Sequence, residues 1–245
     1  MRDVLVSLTA VLGLGAGLAG LSAAPAAAGD ATAHGRPVVL ELFVSQNCAA
    51  CMHANTALAE IAATRDVLPL TYDVDYWDYL GWRDTLAHPE FTARQREYAD
   101  RFGQARVYTP QMVVDGREAG PGGDGVRIES EIKSCQKNAA RTPELKARRE
   151  GVQVAIEIGA GPAQGEAADI WLIGFEPGEI RTKVGAGENE GREFTVTNPV
   201  RQVSRIGAWT GEAAEIRADA PDTGGFAVLV QNPDGGPILA AASGH

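Results

Sequence analysis

The feature that most constrains this chain is a strand-like run that ends just before a spaced cysteine pair. Residues 37–44 (PVVLELFV) are apolar and largely β-branched, the pattern of a strand covered on both faces. Cys48 follows four residues after Val44, and Cys51 completes a Cys-Ala-Ala-Cys motif. Residues 48–64 have helical composition, with Ala57, Ile61 and Arg65 on one side and Leu58 and Ala62 extending an apolar face. Residues 68–74 form a second apolar run. Strand, helix and strand in so short a stretch predict a right-handed βαβ unit with parallel strands.

A cysteine pair at a helix start has a defined chemistry. The first turn presents unpaired N–H groups and the positive end of the helix dipole. Both favour a thiolate, so Cys48 is the expected nucleophile and Cys51, three residues on and less exposed, the resolving thiol. Two other uses of the motif stay open. The pair could form a structural disulfide without turnover. Alternatively Cys48 and Cys51 could join His53 in binding copper(I), a soft metal that prefers thiolates. No second Cys-x-x-Cys is present to complete a four-thiolate zinc site. The third cysteine, Cys135, shares a helical face with Ile128, Ile132 and Ala139, which predicts a buried thiol. A third redox thiol or an intermolecular bridge is the alternative there.

The order of elements continues in a consistent way. Residues 90–103 predict a charged surface helix. Thr109 and Pro110 precede a short strand at 111–115, Asp115-Gly116 is a hairpin turn signal, and 117–119 is its partner. A helix is expected over 126–141. This order resembles thioredoxin-like folds, in which a cis-proline stands opposite the redox pair and leaves the backbone before it open to an extended substrate. Pro110, with Thr109 before it, occupies that place. Glu41 lies in mid-strand, where an acid is costly unless it is paired or protonated. It could accept a proton from Cys51, or it could face an Arg or a polar edge.

The residues also resemble a narrower group, the secreted bacterial proteins of the domain of unknown function 1223 family. The resemblance rests on 39–51 (VLELFVSQNCAAC), 73–82 (DVDYWDYLGW), 91–98 (FTARQREY) and 107–116 (VYTPQMVVDG). Asn47 and Ala49-Ala50 stand where the family typically has Gly and Ser-Ser, and Met52-His53 where it has prolines. The resemblance implies a thioredoxin-like fold and a redox-capable thiol pair.

Between the βαβ unit and Pro110 lies an aromatic insert. Tyr72, Tyr76, Trp77, Tyr79 and Trp82 fall within eleven residues, interleaved with Asp73, Asp75, Asp78 and Asp84. Such a segment either walls a cleft beside the thiols or packs onto the domain body with the Asp residues as caps. Trp77 and Trp82 are the candidates for touching a substrate.

Beyond residue 143 the character changes. A charged, Pro-bearing connector over 141–150 is followed by short alternating runs near 152–158, 168–175, 179–184, 193–196, 202–206, 214–216 and 226–231. That spacing predicts a small antiparallel sandwich. The expected architecture is a thioredoxin-like α/β domain over 36–143, its central mixed sheet flanked by helices and carrying the aromatic insert, followed by a β-rich domain over 151–245. Residues 1–28 have the form of a secretory signal: Arg2, an apolar run over 4–21, and small residues ending at Ala28. The expected destination is the periplasm, where disulfides persist, with membrane contact only during export. The expected partners are protein thiols, protein disulfides or a redox partner. The formal net charge of −10 argues against nucleic-acid binding, which needs a basic footprint.

Overall fold

The computed structural model describes residues 36–138, 143–162 and 165–245. The signal-like segment 1–28 lies outside the described residues.

The apolar run forms β1 (Val38–Val44), every residue of which is buried. It is followed by α1 (Cys51–Thr64) and β2 (Val67–Asp73). A 3-10 helix (Asp75–Leu80) and α2 (Pro89–Arg101) lead to a hairpin of β3 (Gln111–Val114) and β4 (Glu118–Pro121), then α3 (Gly125–Asn138). The strand order is β2-β1-β3-β4, with β1 parallel to β2 and antiparallel to β3. The expected Asp-Gly turn is present: Asp115 and Gly116 both have positive φ, at 56° and 63°, as a tight hairpin turn requires.

All later strands are antiparallel. β5 (Leu145–Glu150), β6 (Gln153–Ile158) and β11 (Ala214–Asp219) form a three-stranded sheet in the order β11-β6-β5. β7 (Ala168–Phe175), β10 (Val200–Trp209), β12 (Gly225–Gln231) and β13 (Ile238–Gly244) form a four-stranded sheet, β10-β7-β12-β13. β8 (Glu179–Lys183) and β9 (Glu193–Thr197) pair only with each other. The chain is thus a mixed α/β protein with several sheets and few helices.

Three apolar layers hold these elements together. On one face of the first sheet, Leu40, Leu42 and Val44 pack with Ala54, Leu58, Ile128 and Ile132 of α1 and α3, and with Phe194 and Val196 of β9. On the other face, Val39, Phe43, Leu70 and Tyr72 meet Phe91 and Tyr98 of α2 and Ile173, Phe175 and Leu229 of the four-stranded sheet. The far face of that sheet meets Val154, Ile156 and Ile158 of β6. β1 is therefore covered on both faces, which is why its sequence lacks alternation.

Three sequence expectations change. The connector over 141–150 contains a strand, β5, whose residues alternate between half-buried and exposed. β13, rich in Ala, has no counterpart among the strands the sequence predicts. The charged helix α2 is not simply a surface helix: Phe91, Arg94, Gln95 and Tyr98 are buried.

Candidate functional site

The site is the turn between β1 and α1. Cys48 and Cys51 form a disulfide with Cα atoms 5.4 Å apart. The turn is closed by backbone bonds from the Cys48 N–H to the Ser45 carbonyl (3.0 Å) and from the Cys51 N–H to the Cys48 carbonyl (3.1 Å). The Ser45 hydroxyl accepts the Asn47 N–H at 3.1 Å. α1 begins at Cys51; its N-cap, Ala50, makes no side-chain cap, and no acidic residue occupies its first turn. The first turn of α1 carries no carboxylate of its own, and the Glu188 carboxylate reaches the Ala49 N–H just before it from remote chain.

The aromatic insert is pinned to this turn. The Trp82 indole N–H donates to Gln46 Oε1 at 2.8 Å, and Asn47 Nδ2 donates to the Trp82 carbonyl at 2.7 Å. Asp84 Oδ2 accepts the Gln46 N–H at 2.7 Å, and its Oδ1 accepts the Leu86 N–H at 3.0 Å. Trp82 and Trp77 are part-buried against the apolar layer that holds both cysteines. The exposed aromatic of the insert is Tyr79, at 80%.

Thr109 and Pro110 precede β3, and the bond between them is cis. The Pro110 carbonyl accepts the Gly122 N–H at 3.0 Å. A Cβ placed on Gly122 would lie 3.1 Å from Pro110 Cβ and 3.2 Å from Ala54 Cβ, so Pro110 approaches α1 one turn past Cys51. Thr109 Oγ1 is buried without a partner.

Glu41 does not sit beneath Cys51. Leu40 and Leu42 point toward the cysteines, so alternation along β1 sends Glu41 to the opposite face. There Arg94 grips it, Nε to Oε1 at 2.7 Å and Nη2 to Oε2 at 3.1 Å, and the Tyr98 hydroxyl donates to Oε2. The proton relay from Cys51 to Glu41 has no path in this arrangement; the alternative expectation, an Arg partner, describes the site. His53 is exposed on α1 and faces Gly123. Among the described residues, no group of three or more His, Cys, Asp or Glu is gathered so as to hold a metal ion. Cys135 is buried and free, and burial, reinforced by the Asp115 carboxylate, pushes its thiol up to about 12.

Sequence reasoning missed what covers the turn. The loop at 184–192, which links β8 to β9, lies over it. Asn189, fully buried, donates from Nδ2 to the Gln46 carbonyl (2.9 Å) and the Cys48 carbonyl (3.0 Å). Arg192 donates to Asn189 Oδ1 at 3.2 Å and fixes the amide's orientation. The Ala49 N–H donates to the Glu188 carboxylate at 3.3 Å. Under this cover Cys48 is only 3% exposed and Cys51 is fully buried. No local pattern marks Asn189, because its partners lie 141 and 143 residues away.

Fold and site together define a mixed α/β protein with a disulfide-bonded Cys-x-x-Cys at a strand-to-helix turn. The family model described as "Protein of unknown function (DUF1223)" matches residues 39–231, and the chain belongs to that family. The crystal structure of protein AGR_C_4864 from Agrobacterium tumefaciens is similar, with 33% identity and a TM-score of 0.73 over 84% of this chain and 93% of that one. HBP35 of Porphyromonas gingivalis shares the fold at 13% identity and a TM-score of 0.62, over 85% of this chain and 74% of that one. No curated protein matches the chain.

Proposed function

We propose that this protein is an exported thiol–disulfide oxidoreductase of thioredoxin-like build. The observation that carries the reading is the Cys48–Cys51 disulfide, which closes the turn between the central strand β1 and the N-terminus of α1. The strand order β2-β1-β3-β4, the flanking α1 and α3, and the approach of Pro110 to α1 support the thioredoxin-like comparison. The leader-like segment 1–28 supports export to the periplasm.

In the oxidising direction a substrate thiolate attacks the Cys48 sulfur. A substrate–Cys48 disulfide forms, the Cys48–Cys51 bond breaks, and Cys51 leaves as a thiolate that takes a proton. A second substrate thiolate then attacks the substrate sulfur. The substrate leaves oxidised by two electrons, and Cys48 leaves as a thiolate beside the N–H groups of α1. Reduction runs the same steps in reverse. The residues assigned to substrate contact are Thr109 and Pro110 before β3, and Trp77 and Trp82 of the insert. The substrates are protein thiols or protein disulfides.

Reduction of insulin by dithiothreitol, followed by turbidity, tests the reading. Wild type accelerates it and Cys48→Ser falls to the uncatalysed rate. Equal turnover by the two proteins overturns the reading.

A further inference from the structure

The disulfide is sealed by the chain itself, and the seal has a particular chemistry. The loop at 184–192 meets three backbone groups in succession: the Gln46 carbonyl, the Cys48 carbonyl and the Ala49 N–H. Asn189 supplies the donors and Glu188 the acceptor. Two acceptors and a donor along four residues are what an extended polypeptide satisfies with its own amides when it lies beside a strand or turn. A fourth group in the same place has no partner: Asn47 Oδ1 is buried and makes no hydrogen bond. It faces Gly187, which has φ +81° and approaches so closely that a Cβ there would collide with it. A peptide N–H is the donor that this oxygen lacks.

The loop is built to lift separately from its base. β8 and β9 pair with no other strand. The base is held by Phe194 and Val196 in the apolar layer and by the Thr71 hydroxyl on the Thr197 carbonyl at 2.7 Å. The tip is held on the turn by the polar contacts of Asn189 and Glu188 and by Gly185, which lies against the Trp82 indole. Polar contacts of this kind exchange with water at little net cost, whereas the buried base does not.

We propose that the turn covered by the 184–192 loop is the binding site for an extended, cysteine-bearing polypeptide, and that Asn189 is the latch that keeps the loop in the substrate's place. The proposal rests on the oxidoreductase reading for the chemistry that follows binding. It stands apart from that reading in what it says about access to the disulfide. With the loop down, Cys48 is shielded; with it raised, the Gln46 carbonyl, one lone pair of the Cys48 carbonyl and the Ala49 N–H are free to pair with substrate, and the Cys48 sulfur is open to attack.

The test follows reduction of the Cys48–Cys51 disulfide in the full-length oxidised protein. The reductants are dithiothreitol and an unstructured ten-residue peptide with one central cysteine, and free thiols are counted by mass after alkylation. In wild type the peptide reaction reaches a plateau rate set by loop opening. Asn189→Ala raises both rates at least 10-fold, with the larger gain for the peptide. Gly187→Ala, whose new methyl group keeps the loop from closing on Asn47, changes the rates in the same direction. Rates within two-fold of wild type in both variants, with unchanged circular dichroism, overturn the gate. Equal gains for the two thiols overturn the polypeptide site. Loss of insulin turnover in wild type would remove the oxidoreductase reading while leaving these rates to decide the gate.

Discussion

Glu41 and Arg94 form a buried, two-point ion pair on the face of β1 that turns away from the disulfide, with heavy-atom distances of 2.7 and 3.1 Å. Arg94 also donates to Gln231 Oε1 at 2.9 Å, which ties α2 and β1 to the four-stranded sheet. Burial alone would discourage the charge on Arg94, but the facing carboxylate more than offsets it and holds the guanidinium well above its ordinary value. Removing one partner strands the other charge in an apolar layer, at a cost of about 3–5 kcal/mol. Arg94→Met is therefore expected to lose about that much stability by denaturant unfolding. Glu41→Gln is expected to destabilise too, yet to leave exchange at Cys48 unchanged in the folded protein. A slowed exchange in Glu41→Gln would restore the relay that the geometry rejects.

A pair of acids lies on the cysteine side. Neither carboxyl oxygen of Asp73, which is buried at the end of β2, finds a donor, and the Asp84 carboxyl is its neighbour. Burial and then the charge of Asp84 push Asp73 well above its ordinary value of 3.8, with Arg201 opposing. Burial raises Asp84 as well, against the Gln46 and Leu86 N–H groups. Raised folded values mean that the fold holds a proton the unfolded chain releases. This contribution is full below 3.8 and falls as pH rises through the folded values. Asp73→Asn supplies a permanent donor to Asp84 and removes the titration. It is expected to exceed wild type by about 1.5–3 kcal/mol at pH 7, the worth of a hydrogen bond to a charged group, and by nothing at pH 3. Equal pH profiles for the two proteins would contradict a shared proton.

Cys135 should play no part in exchange. A thiol pushed up to about 12 is protonated at neutral pH and a poor nucleophile. Iodoacetamide at pH 8 is expected to label Cys48 of the reduced native protein and to reach Cys135 only in denaturant. Cys135→Ala is expected to keep wild-type insulin reduction. Labelling of Cys135 at a rate matching Cys48 would show a thiol in use.

What the sequence discloses, and what it conceals, follows from the range of the interactions. β1, α1 and β2 are legible because a fully buried strand and an amphipathic helix write their environment into consecutive residues. The Asp115-Gly116 turn is legible because few residues tolerate positive φ at both positions. β5 is concealed because Lys146, Arg148 and Glu150 on its outer edge make the segment look like a connector. Its inner face offers only Leu145, Ala147 and the stem of Arg149, whose guanidinium lies 5.7 Å from the Phe226 ring. β13 (ILAAASG) carries a single β-branched residue, Ile238, and becomes a strand through its pairing with β12. At the site, the thiol pair is local and therefore visible. The partner of Glu41 and the cover over Cys48 come from remote chain, and no spacing rule reports them.

The central claim is that Cys48 is the attacking and attacked sulfur and Cys51 the resolving one. Trapping tests it most directly. Cys51→Ser, reduced and then mixed with oxidised insulin, is expected to accumulate a mixed disulfide that mass spectrometry maps to Cys48, while Cys48→Ser accumulates none. A trapped partner on Cys51 in the Cys48→Ser protein, with none on Cys48 in the Cys51→Ser protein, would contradict the account.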